Sequence, residues 1–177
     1  RKVLDGIAFK RGANWTWDED ETMARAVVGL TSNPSGAPYE AAALALDVHD
    51  ALADLSADLP VGLAASVDIV RAVAAGDRDE AGHLLRHVVQ APAPALADEL
   101  SEVAPAGRTW VAGGLYRLVR RDFQWGDAPT LDLARKAEST PLPKTIRVYS
   151  LVRALTREER LAELALAPGE LVGRDVE

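Results

Sequence analysis

Four consecutive acids, Asp18-Glu19-Asp20-Glu21, are the densest charge in this sequence, and clustered carboxylate oxygens are hard ligands suited to a divalent cation. The same four residues also read as the exposed tip of a hairpin, and that plainer reading comes first. His83 and His87, with Asp79 just before them, would form a zinc set on a helix. The β-branched finish Val88-Val89 favours a strand instead, so zinc is set aside. Arg117, Arg120 and Arg121 share one side of a short helical stretch, where a solvated basic face is preferred to an anion site. His49 sits among Glu40, Asp47, Asp50 and Asp54 and reads as a surface histidine.

The elements that would have to position such groups belong to one domain, since 177 residues support a single core and hardly two. With 5% aromatic residues that core must be built mainly of Ala, Leu and Val. The absence of cysteine excludes disulfides, thiolate metal sites and a cysteine nucleophile. A net charge of -7 argues against a nucleic-acid partner, because phosphate binding requires a concentrated basic face. No apolar run reaches the ~20 residues of a membrane span and no signal peptide is evident, so a cytoplasmic location is expected. The opening at Arg1 rather than Met, and the phrase that breaks off at Glu177, suggest a piece of a longer chain.

Residues 6–17 alternate as a strand with Trp15 and Trp17 on one face, and residues 23–30 return as its hairpin partner. Residues 31–38 are turn-forming, and residues 39–55 carry the clearest helical apolar stripe. A strand is expected over 60–73, with small residues at its centre that allow close approach, then a turn over 74–79 and a strand over 82–91. A helix over 95–103 follows Pro92 and Pro94. The stretch 108–132 reads as strand, short helix on Leu115, Leu118 and Val119, strand, a turn at Gly126-Asp127 and Pro129, and strand. A polar connection over 134–144 leads to a strong strand over 145–152, and Thr156 with Glu159 forms a capping box for a last helix to about Leu166. This order predicts an α/β (α+β) fold with a mixed, ferredoxin-like sheet covered by helices mainly on one face.

The running text of these segments resembles the catalytic domain of class III adenylate/guanylate cyclases. EAAALALDVHDALADL is similar to the helix before that family's central strand, and LPVGLAASVDIVRAV to the strand itself. ALADELSEVAPAGRTWVAGGLYRLV resembles the helix bearing the transition-state residues and the passage after it, while RDFQWGDAPTLDL and PLPKTIRVYSLV resemble the closing strands. ELVGRDVE resembles the opening of an AAA-type signal-transduction ATPase domain of the kind that follows cyclase domains in large bacterial regulators. The resemblance implies a nucleotide-cyclase-like domain over 1–153 that lacks the family's first strand, and a helical linker over 154–177 leading towards an ATPase domain.

It also implies where chemistry should sit. The family's hairpin carries a glycine-aspartate that binds metal; here the equivalent acids lack the glycine, Asp20 is the best candidate and Asp18 the second. The other metal-binding aspartate belongs to the first strand, which this chain lacks. The helix should present an asparagine and, four residues later, an arginine to the transferring phosphoryl group, but Ala95 and Glu99 hold those places. A gapless alternative on Gly76-Asp77 substitutes Glu80 and Leu84, which is no better. Lys10 is the candidate for the substrate-selecting lysine, against a plainer role as an exposed edge residue.

The expectation is therefore a catalytically degenerate domain acting as a regulatory or dimerisation module in a larger signalling ATPase. One alternative is an active cyclase completed by a partner chain, and a second is a non-enzymatic ligand- or protein-binding domain. Partners would be a second copy or a partner domain, and Mg2+ or Mn2+ with ATP or GTP if a vestigial site persists.

Overall fold

The structure is a computed structural model that describes residues 1–20, 22–31, 34–57, 59–60, 62–81, 84–133 and 142–166. In chain order the elements are α1 (Lys2–Lys10), β1 (Ala13–Trp17), β2 (Ala24–Val28), α2 (Ala37–Ala57), β3 (Val67–Ile69), β4 (Ala74–Arg78), β5 (Leu84–Val89), α3 (Ala93–Val103), β6 (Thr109–Ala112), α4 (Gly113–Val119), β7 (Phe123–Trp125), β8 (Thr130–Asp132), β9 (Thr145–Ala154) and α5 (Arg157–Leu166).

Strand β9 is the spine of the main sheet, whose order is β3-β6-β9-β7, with β8 also paired to β9. β3 runs parallel to β6, and β6, β7 and β8 are antiparallel to β9, so the sheet is mixed as expected. Ala42 and Ala45 of α2, with Leu115 and Val119 of α4, close over Ile69, Val111, Phe123 and Leu151. The small alanines let α2 lie close against the strands, and the bulk comes from aliphatic residues plus Phe123. Gly29, at φ 96°, carries the chain from β2 into α2, where a Cβ would stand 2.6 Å from that of Ala37.

Several expectations need correction. The strand foreseen over 6–17 is a strand only in β1; its first half is the end of α1, and Lys10 closes that helix instead of lying on a strand edge. Val3, Leu4, Ile7 and Ala8 follow helical spacing, and Gly12 at φ 64° separates the two elements. The turn foreseen over 74–79 is largely β4, which pairs with β5, and the long strand over 60–73 shrinks to the three residues of β3. Composition supplies propensity, but a ladder also needs a partner along its length: residues 74–78 have β5, whereas Ala65, whose carbonyl accepts the Gly107 N–H at 2.8 Å, does not extend the ladder of β3. The segment 126–129 does not reverse the chain. Gly126, Asp127 and Pro129 keep bonding to Ser150 and Val148, so β7 and β8 run in one line along β9. Finally, His49 is half-buried, not on the surface: its Nε2 lies 2.8 Å from the buried Thr109 hydroxyl, and burial pushes its pKa down.

Candidate functional site

The ribbon β1–β2 pairs Trp17 with Ala24 at its tip, and the acids follow there as the hairpin reading requires. Asp18 is committed to closing that tip. Its Oδ1 accepts the Met23 N–H at 3.0 Å and its Oδ2 accepts the Thr22 hydroxyl at 2.9 Å. The Met23 amide, helped by Thr22, holds the Asp18 carboxyl below the usual carboxylate range. Asp20 is exposed in the turn, and Glu21 lies outside the described residues. Trp15 and Trp17 share a face, their rings meeting edge to face at 5.6 Å. Lys10 lies at the other end of β1 from the tip and stands 3.9 Å from Asp47, beside the partly buried cluster in which Arg11 holds Asp47 at 2.8 Å and Glu40 at 3.0 Å.

Helix α3 stands beside this ribbon. Leu100, with no exposure, and buried Ala93 anchor it. Ala95 and Glu99 are one turn apart on its partly buried flank. The helix carries Asp98, Glu99 and Glu102 and no basic residue. Its link to the ribbon is Arg25 of β2, whose guanidinium donates to Asp98 through Nε at 3.2 Å and through Nη2. The cation therefore belongs to the strand and the acid to the helix, the reverse of what a phosphoryl group approaching α3 would need.

The other sequence-derived candidates do not converge on this place. Among the described residues no group of three or more histidine, aspartate or glutamate side chains could hold a metal ion. The histidine pair cannot be placed, because His83 lies outside the described residues, and the alternative positions Glu80 and Leu84 fall at the turn and start of the β4–β5 hairpin. Arg117, Arg120 and Arg121 are exposed, in keeping with a solvated face. A groove of about 380 Å³ lies between Pro34, Pro38 and Tyr39 on one side and Leu118, Val119 and Asp122 on the other, and no expected site residue lines it.

One group escaped sequence reasoning. Asp68, between Val67 and Ile69 on β3, has both carboxylate oxygens buried and without a hydrogen-bond partner. Burial pushes its pKa up to about 7. The signal was present as a lone acid inside an otherwise apolar and small-residue run.

No family model matches this chain, and no curated protein matches it in sequence. Solved structures do match. The adenylyl cyclase CyaB from P. aeruginosa aligns with a TM-score of 0.56 at 12% identity, over 88% of this chain and 79% of that one. The non-canonical dimeric guanylyl cyclase domain of the RhoGC fusion protein from the aquatic fungus Blastocladiella emersonii gives a TM-score of 0.56 at 14% identity, over 86% and 77%. An adenylate/guanylate cyclase/hydrolase from Silicibacter pomeroyi gives 0.51 at 18% identity, over 86% and 79%. At these identities the likeness is one of fold, and the fold is that of nucleotide cyclase domains.

Proposed function

We propose that this chain is a nucleotide-cyclase-like domain that no longer makes cyclic nucleotide and acts as a regulatory, dimer-forming module in a larger ATPase-containing regulator. The observation that carries this reading is the inverted charge between α3 and the ribbon. Glu99 stands where an arginine is expected, Ala95 where an asparagine is expected, and the nearby Arg25 is engaged by Asp98. Removing one donor to a transferring phosphoryl group typically costs ~3 kcal/mol in the transition state, and a charge of the wrong sign costs more.

The residues present do not fit Mg2+ or Mn2+ carrying ATP or GTP. Asp18 already commits both oxygens to the hairpin, which leaves Asp20 as the free candidate, and an anionic phosphate chain would meet acids from both tip and helix. The domain so proposed covers residues 1–153, followed by a linker over 154–177 towards an ATPase domain. The capped start of α5 supports that linker, and residues 167–177 lie outside the described residues. Pairing with a second copy or a partner domain is supported by the non-canonical dimer that the RhoGC cyclase domain forms in one of its structures. Among the described residues no helix is long and apolar enough to cross a membrane, and we place the domain in the cytoplasm.

The test is direct. The purified protein, incubated with Mg2+ or Mn2+ and ATP or GTP, should form no cyclic product above a no-protein control. Turnover at an ordinary cyclase rate that disappears in Asp20→Ala would overturn the proposal in favour of an active site completed by a partner chain.

A further inference from the structure

Helix α4 carries its cations on the outside. Leu115 and Val119 are buried in the core, whereas Arg117, Leu118, Arg120 and Arg121 are exposed, Leu118 by 55%. Arg120 keeps helical backbone angles at the end of α4, so Arg117 has Arg120 and Arg121 one turn away on the same surface, with Leu118 between them. Like charges at this spacing repel one another, and acids supplied from outside would relieve that repulsion. Among the described residues no acid pairs with any of the three arginines, whose guanidinium groups make a single hydrogen bond, from Arg117 Nε to Gly113 O at 3.2 Å.

The groove of about 380 Å³ opens beside this surface, with Leu118 on one wall and Pro34, Pro38 and Tyr39 on the other. Asp122, the acid in its lining, is already paired with Arg160, whose Nη1 donates to its Oδ1 at 3.3 Å. The far wall is stiff before anything binds. Its prolines have fixed φ angles and the Tyr39 ring packs on buried Phe123 at 5.1 Å, so little ordering is needed to fill the groove. The same contrast holds along the sequence: residues 1–107 hold 17 acids against 8 basic residues, and residues 108–160 hold 6 against 11. The arginines therefore stand in the positive stretch of an acidic chain, which steers an acidic partner to them.

We propose that this groove docks an acidic segment of a partner protein, with a leucine or phenylalanine seated between Leu118 and Tyr39 and carboxylates on either side of it meeting Arg117 and Arg121. Charge complementarity selects the acids, and the concave apolar wall selects the side chain between them. A flat anionic membrane would engage the arginines and leave the groove unfilled. A long run of phosphates would meet the net charge of -7. The surface shares no residue with Ala95, Glu99, Asp18 or Asp20, so it stands whether or not nucleotide is turned over.

The experiment uses the whole chain and labelled peptides of about ten residues in which a central Leu is flanked by Glu, with control peptides carrying Ser for Leu or Gln for Glu. Anisotropy should show saturable binding of the Glu-Leu peptide, weakened as salt rises from about 0.05 to 0.5 M, and binding of either control at least roughly tenfold weaker. Arg117→Gln combined with Arg121→Gln should lower affinity at least roughly tenfold, and the corresponding double Lys variant should restore part of it. Leu118→Ser should abolish the preference for Leu over Ser. All these positions are exposed, so unchanged melting temperatures should accompany the losses. Absence of binding by the Glu-Leu peptide, equal binding of the Ser peptide, or affinity unchanged by the arginine substitutions would each overturn the proposal. Self-association of the protein that the double Gln variant abolishes would give the groove to a second copy and overturn it too. So would vesicles of phosphatidylserine that bind the unaltered protein and displace the peptide.

Discussion

Replacing Asp68 with asparagine keeps the side-chain shape and removes the charge, so its effect on stability must vary with pH. In the folded chain burial pushes the Asp68 pKa up to about 7, against an ordinary value of 3.8. The folded state therefore holds this proton more tightly than the unfolded state, and the contribution of Asp68 to stability falls as pH rises from about 4 through 7. Linkage between those two values gives a cost of roughly 2 kcal/mol at pH 5 and roughly 4 kcal/mol at pH 8. An asparagine does not titrate and carries no such cost. Its amide must also find partners, but that penalty is the same at both pH values and cancels in the comparison. The stability of Asp68→Asn relative to the unaltered protein should thus grow by roughly 2 to 3 kcal/mol between pH 5 and pH 8. Urea titrations followed by tryptophan fluorescence measure it, with other titrating groups common to both proteins. An advantage for the asparagine that is equal at the two pH values would refute the reasoning, because it would mean that water or a donor already reaches the carboxylate.

Two further substitutions probe the frame around the site. Gly29→Ala combines a positive φ of 96° with a Cβ 2.6 Å from that of Ala37, so it should lower stability by about 2 kcal/mol or more and reduce the melting temperature accordingly. Thr156→Ala removes a reciprocal cap in which Glu159 Oε2 accepts the Thr156 N–H at 2.8 Å and Thr156 Oγ1 accepts the Glu159 N–H at 3.2 Å. It should speed amide exchange over the first turn of α5 by an amount equivalent to about 1 kcal/mol, with little change at residues 148–151 of β9.

Where sequence and structure agree, a local pattern and its partner lie close together in the chain or the period is long. The α2 stripe, the β1–β2 hairpin with its acidic tip, β5, α3, the 108–125 passage and the α5 cap are all legible for that reason. The misses share a different cause. Alternation in residues 6–17 runs through Gly12 and masks the spacing of Val3, Leu4, Ile7 and Ala8, which already fits a helix. Residues 60–73 have the right composition for a strand, but among the described residues only Val67–Ile69 gain a ladder, with β6, and no local pattern reports a neighbour. His49 looks solvated because its sequence neighbours are acids, whereas its partner Thr109 is sixty residues away. Of the candidate site, the identities at 95 and 99 are legible, and the Arg25–Asp98 link that gives them meaning is not.

The way α3 is anchored separates the residues that hold the fold from the positions where chemistry would sit. Ala93 and Leu100 are seven residues apart and share the buried face, while Ala95 and Glu99 share another face one turn apart. Substitution on the second face leaves the packing of the first intact. The same separation holds in the main core, where Ala42, Ala45, Val111, Leu115, Val119, Phe123 and Leu151 close the sheet without using any expected site position. Selection for the core therefore places no demand on the positions that would face phosphate. Likeness of fold to cyclases follows from the first set of residues alone, so it carries no information about turnover; that question rests on positions 95 and 99 and on Asp18 and Asp20.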